Sequence, residues 1–190
     1  MASTLRDRDC PVLEVDPLGH ELLEPGQVPY DEIVREFGKE ILGAGDRVDR
    51  SKLGMIVFAD AEKRERLNQI LHPQILKVVR QWFRMLDRPE APEVVVVEAA
   101  LIFEAGFHKE LDRVVVCWCR PDQQLERLKE RGFSPEEARL RIRAQMSIDE
   151  KRCLADDVID CSGSVEETEQ QAILLLERLK QLSASGRNIS

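Results

Sequence analysis

The stretch Glu93-Val-Val-Val-Val-Glu-Ala-Ala-Leu-Ile-Phe-Glu104 decides the fold. Four successive valines leave no alternation of apolar and polar residues, so both faces of the strand they form must be buried. A second run, Val114-Val-Val116 inside residues 113–119, has the same character. Such β-branched runs belong to parallel sheets covered by helices on both sides.

The sequence on either side supplies the helices. Residues 3–9 read as the tail of a helix, and Cys10-Pro-Val-Leu-Glu-Val-Asp16 as a short buried strand ending in acid. From 29 to about 88 the pattern is helical, with Ile33, Val34 and Phe37 on one apolar face and Leu67, Ile70 and Leu71 on another. His72-Pro73 predicts the start of a new helix, because proline is tolerated in a first turn. Pro121 opens a helix to Arg131. Ser134-Pro-Glu-Glu137 and Ser164-Val-Glu-Glu167 are capping boxes that start two more, and Asp157-Val-Ile-Asp160 lies between them as a strand. Strands alternating with helices predict an α/β protein, a three-layer parallel sheet with flanking helices. It is read as one domain over 1–185 with a frayed tail at 186–190.

A length of 190 residues suffices for one sizeable core. Lys and Arg number 28 against 36 Asp and Glu, a net charge of −8 that argues against general nucleic-acid binding. No apolar stretch approaches the length of a membrane span, and the first residues lack the apolar core of a signal peptide, so the cytoplasm is expected. The five cysteines form no CxxC pair and read as small hydrophobes in a reducing compartment. The three histidines show no metal-ligand spacing.

Ligands of parallel α/β sheets gather beyond the carboxyl ends of the strands. Asp16, Glu98 and Glu104 are placed there by the sequence. Such carboxylates accept a hydroxyl proton or support a magnesium shell, or else act as helix caps. Charge is also segregated. Residues 120–152 hold nine basic and seven acidic side chains, a local charge of +2 inside a chain whose remainder carries −10. A helical hairpin with several arginines suits phosphate clamping, since guanidinium forks bind phosphate oxygens bidentately. For Arg139 and Arg143, spaced i, i+4, a solvated face laced with ion pairs is the stronger reading. The sequence contains no G-x-x-x-x-G-K-[ST] loop: the one Gly-Lys pair, Gly38-Lys39, is followed by Glu40.

Taken together these segments resemble the dephospho-CoA kinase family, P-loop enzymes related to the nucleoside-monophosphate kinases. Cys10-Pro-Val-Leu-Glu-Val-Asp16 is similar to the strand ending in the family's D-A-D, with Glu14 in place of the first Asp. Leu71-His72-Pro73 matches L-H-P, and Glu98-Ala-Ala-Leu-Ile-Phe-Glu104 matches D-x-P-L-L-F-E, with Ala100 in place of the Pro. Ala144-Gln-Met146 and Ala155-Asp-Asp-Val-Ile-Asp160 match the end of the lid and the strand after it, Cys161 standing where the family usually has Asn. Adenylate- and shikimate-kinase-like proteins share the architecture but not this series.

The resemblance implies ATP-dependent phosphorylation of the 3′-hydroxyl of dephospho-CoA, with ATP and Mg2+ as donor and metal. It implies a helical substrate-binding segment over about 29–88 and a lid-like segment over about 120–154. It casts Asp16 as the base on the ribose hydroxyl, and Arg131, Arg141 and Lys151 as phosphate contacts. His72 and Glu104 lie toward the substrate, His72 serving equally well as a helix cap. The family pattern opens with a strand and a loop G-x-T-G-G-I-x-S-G-K-S, so the resemblance implies roughly 15 to 20 residues of strand and P-loop ahead of Met1. Without them ATP binding is expected to be very weak, with a gap or an exposed edge in the sheet. A second reading, a non-catalytic protein binding a CoA-like ligand or a protein partner, follows from the same lack.

Overall fold

The computed structural model describes residues 1–186; of the expected frayed tail, residues 187–190 lie outside the described residues. In chain order the elements are α1 (Ala2–Arg6), β1 (Val12–Glu14), α2 (Val15–Glu21), α3 (Tyr30–Phe37), α4 (Arg50–Ala59) and α5 (Ala61–Leu86). They continue with β2 (Val96–Glu98), β3 (Val115–Trp118), α6 (Pro121–Glu130), α7 (Pro135–Arg143), α8 (Ile148–Leu154), β4 (Asp157–Asp160) and α9 (Val165–Ala184). Residues 1–13 together with those from 88 onward form one compact unit, and residues 14–87 form another.

The first unit carries the strands. β3 and β4 run parallel, with Val115 opposite Asp157 and Trp118 opposite Asp160. β1 and β2 form a second two-stranded ladder, and the Val96 N–H donates to the Pro11 carbonyl at 2.9 Å. Among the described residues no ladder joins the two pairs. They share a core instead: Leu5, Cys10, Ile159, Ala172 and Leu176 are buried, and Val12 and Val96 from one pair and Val115 from the other pack against them. α9 lies on α1, where the Thr4 hydroxyl donates to Glu169 at 2.8 Å and Lys180 Nζ to the Arg8 carbonyl at 3.1 Å. A second cluster, Phe103, Val114 and Val116 with Met146 and Ile148, packs the turn after β2 against β3 and α8.

The strands are shorter than the apolar runs. The expected spans 10–16, 93–100 and 113–119 become Val12–Glu14, Val96–Glu98 and Val115–Trp118. Hydrophobicity marks burial, whereas a strand also needs a continuous ladder; the flanking Val114, for one, gives its N–H to the Asp156 side chain and its carbonyl to the Asp156 and Asp157 N–H groups.

The second unit is helical. Leu23, Ile33, Phe37, Ile41, Leu53, Val57 and Ile70 make its core, and Ile33 and Ile41 are wholly inaccessible. Burying each such side chain contributes about 1.5–3 kcal/mol. Asp49 and Asp60 cap α4 and α5, each carboxylate accepting from two backbone N–H groups of the first turn. α5 runs for 26 residues straight through Pro73. The expected new start at His72 is therefore corrected: the apolar face of Leu67, Ile70 and Leu71 continues in phase through Ile75 and Val78, so continued packing outweighs the local cost of one missing N–H. No helix among the described residues is long and apolar enough to cross a membrane.

Candidate active site

Asp16 does not end a strand. β1 stops at Glu14, which is the N-cap of α2, and Asp16 sits in the first turn of that helix, exposed, with Pro17 next to it. A carboxylate suits this position because the first-turn N–H groups carry partial positive charge, and proline there forfeits no helical hydrogen bond. α2 packs on α5 where Gly19 approaches Ile75: a Cβ on Gly19 would lie 3.9 Å from Ile75 Cδ1. His72 is half-buried on α5, about one turn before that contact. The fold thus sets the helices of these two candidates side by side.

Glu104 and Lys151 are brought together across 47 positions of sequence. Lys151, on α8, is buried; its Nζ donates to the Ala100 carbonyl at 2.6 Å and lies 2.9 Å from Glu104 Oε1. The same Oε1 accepts from the Met146 N–H at 2.9 Å. Glu104 Oε2 is buried with no hydrogen-bond partner among the described residues. The lysine expected at the phosphates is thus engaged by a carboxylate and a carbonyl within the protein.

Arg131 and Arg141 ride on the α6–α7 hairpin. α6 closes on Arg131, and Gly132 follows at φ +91°, so that the Gly132 and Phe133 N–H groups turn back to the Lys129 and Leu128 carbonyls. Only glycine holds that left-handed backbone without strain. The turn throws Phe133 under α7, and the Arg141 guanidinium stacks on its ring, 4.0 Å from the centroid. Arg131 is exposed two residues before that ring. Arg139 pairs with Glu136 at 3.8 Å on the solvated face, at i, i+3 rather than the expected i, i+4 spacing.

Several participants are invisible to local sequence reading. Gln123 and Arg127 of α6 donate to the Ser162 and Cys161 carbonyls that follow β4. Trp118 at the end of β3 donates its indole N–H to Asp149 at 2.8 Å and carries the Arg152 guanidinium 4.7 Å above its ring. No local motif marks these long-range pairs; the one hint is that Trp118 closes a strand. Five cysteines are free, with Cys10 and Cys119 buried. Among the described residues, no three acidic, histidine or cysteine side chains cluster so as to hold a metal ion.

Parallel strands flanked by helices, an arginine-bearing helical hairpin between β3 and β4 and an all-helical unit between β1 and β2 define a kinase-like α/β protein. A sequence model describing dephospho-CoA kinase matches residues 1–167, and the chain belongs to the dephospho-CoA kinase family. It is 39% identical to the dephospho-CoA kinase of Carboxydothermus hydrogenoformans over 177 residues, covering 93% of this chain and 85% of that one. A dephospho-CoA kinase domain-containing protein of Danio rerio is 39% identical over 181 residues, 94% of this chain and 79% of its own. Among solved structures, one from Thermus thermophilus superposes with a TM-score of 0.73 at 31% identity, over 94% of this chain and 89% of that one. The dephospho-CoA kinase of Campylobacter jejuni superposes with a TM-score of 0.65 at 25% identity and the same coverage.

Proposed function

We propose that this chain phosphorylates the 3′-hydroxyl of the dephospho-CoA ribose, in the cytoplasm, with ATP as donor. The observation that supports this reading is that the family match, residues 1–167, spans every candidate residue: Asp16, His72, Glu104, Arg131, Arg141 and Lys151. In the transfer, the ribose oxygen forms a bond to the γ-phosphorus and the bond to the β-bridging oxygen breaks, releasing ADP. The hydroxyl proton passes to the Asp16 carboxylate, which stands open to substrate in the first turn of α2. Arg131 and Arg141 supply guanidinium forks for the phosphate oxygens, where charge accumulates as the phosphoryl group moves. The helical unit, with His72, takes the acceptor.

The test is direct: incubate the chain with ATP and dephospho-CoA and weigh the product by mass spectrometry. A product heavier by one phosphoryl group, absent with AMP or shikimate as acceptor, is expected. No such product at saturating ATP overturns the reading.

A further inference from the structure

The α6–α7 hairpin is held at both ends. At its start, Gln123 and Arg127 grip the carbonyls of Ser162 and Cys161. At its exit, one oxygen of Glu104 receives both the Met146 N–H and the Lys151 ammonium, at 2.9 Å each. Lys151 adds the Ala100 carbonyl at 2.6 Å. This single carboxylate therefore ties three pieces of chain together: the turn after β2, the residue that leaves the hairpin, and α8. Between the two grips, residues 129–137 of the hairpin tip are exposed apart from half-buried Phe133.

We infer that the Glu104–Lys151 pair is a positioning element for phosphoryl transfer, fixing the exit of the hairpin so that Arg131 and Arg141 present one geometry. Several features point past plain stability. The lysine side chain is 9% exposed and the glutamate 19%, and a pair this buried is often replaceable by apolar groups with no loss of stability. Glu104 Oε2 is left buried without a partner among the described residues, an arrangement that a purely structural contact has no reason to keep. The pair also joins the loop at the carboxyl end of β2 to the segment that follows the arginines. The inference rests on the proposed kinase reaction, in which the hairpin arginines meet phosphate.

The test uses the whole chain and a double variant, Glu104→Gln with Lys151→Met, which removes both charges together and leaves no uncompensated buried ion. Two readouts are taken: steady-state turnover of dephospho-CoA, and amide hydrogen exchange resolved by segment. The expected result is a folded variant whose kcat falls at least about tenfold while KM for dephospho-CoA stays within about twofold, because misaligned groups lose transition-state contacts first. Exchange across 128–147 is faster, and across 14–87 it is unchanged. A folded double variant with the turnover and hairpin exchange of the unsubstituted chain overturns the inference. If the unsubstituted chain itself forms no product, the proposed function fails; the exchange comparison then decides the anchor alone, unchanged hairpin exchange refuting it.

Discussion

The guanidinium of Arg141 lies 4.0 Å above the centre of the Phe133 ring, and the turn at Gly132 puts the ring there. An arginine stacked on an aromatic face is held in one orientation and loses little side-chain freedom when it binds an anion.

Replacing Phe133 by leucine keeps the apolar bulk and removes the stack. Stacks of this kind are worth about 0.5–1 kcal/mol at exposed sites, so KM for ATP is expected to rise about two- to fivefold. Arg141→Ala is expected to raise it further, since it removes the fork itself. Steady-state kinetics at varied ATP checks both. A leucine variant as impaired as the alanine variant contradicts the role assigned to the ring.

The core of the helical unit is centred on Ile33, which is wholly buried among Leu23, Phe37, Leu53 and Ile70. Ile33→Ala removes contacts that the rigid helices around it recover only in part, at a cost of about 2–5 kcal/mol. Denaturant unfolding measures this. Hydrogen exchange is expected to show the loss of protection within 14–87, and a stability within about 0.5 kcal/mol of the unsubstituted chain contradicts the packing described.

Acid is expected to loosen the helices that carry the hairpin and its exit. The Glu137 carboxylate accepts from the Ser134 backbone N–H and is further stabilised by the Ser134 hydroxyl, which holds it below the ordinary glutamate value of 4.5; the Glu137 N–H in turn donates to that hydroxyl. The Ser147 hydroxyl and N–H do the same for Glu150. A group whose folded pKa is depressed binds fewer protons folded than unfolded, so its stabilisation is complete above 4.5 and is lost as pH falls through the lowered values. Amide exchange of α7 and α8, corrected for its intrinsic pH dependence, is therefore expected to quicken below about pH 4.5. Ser134→Ala and Ser147→Ala flatten that response in α7 and α8 respectively; an unchanged response in the variants contradicts the capping account.

Much of this was legible locally. The capping boxes at Ser134 and Ser164, the strand at 157–160 and the helical character of 29–88 rest on neighbours within four residues, and they stand where the sequence puts them. The box from Ser147 to Glu150 has the same signature but lies in a polar stretch without a long apolar run to announce a helix. What local reading misses is pairing at a distance. Nothing in the spacing tells that Lys151 reaches back to Glu104, or that β2 and β3 lack a ladder between them. Asp16 shows the same limit at short range: an apolar run followed by acid looks like a strand end, yet the strand stops at Glu14 and a helix with Asp16 and Pro17 in its first turn begins at Val15.

The most direct test of the proposed reaction is Asp16→Asn, which keeps shape and polarity while removing the proposed base. Turnover of dephospho-CoA by this variant is measured beside calorimetric binding of dephospho-CoA. A positioned base contributes about 10²–10⁴-fold, so kcat is predicted to fall at least about a hundredfold with the dissociation constant changed less than about twofold. An asparagine variant that phosphorylates dephospho-CoA at the rate of the unsubstituted chain contradicts the account.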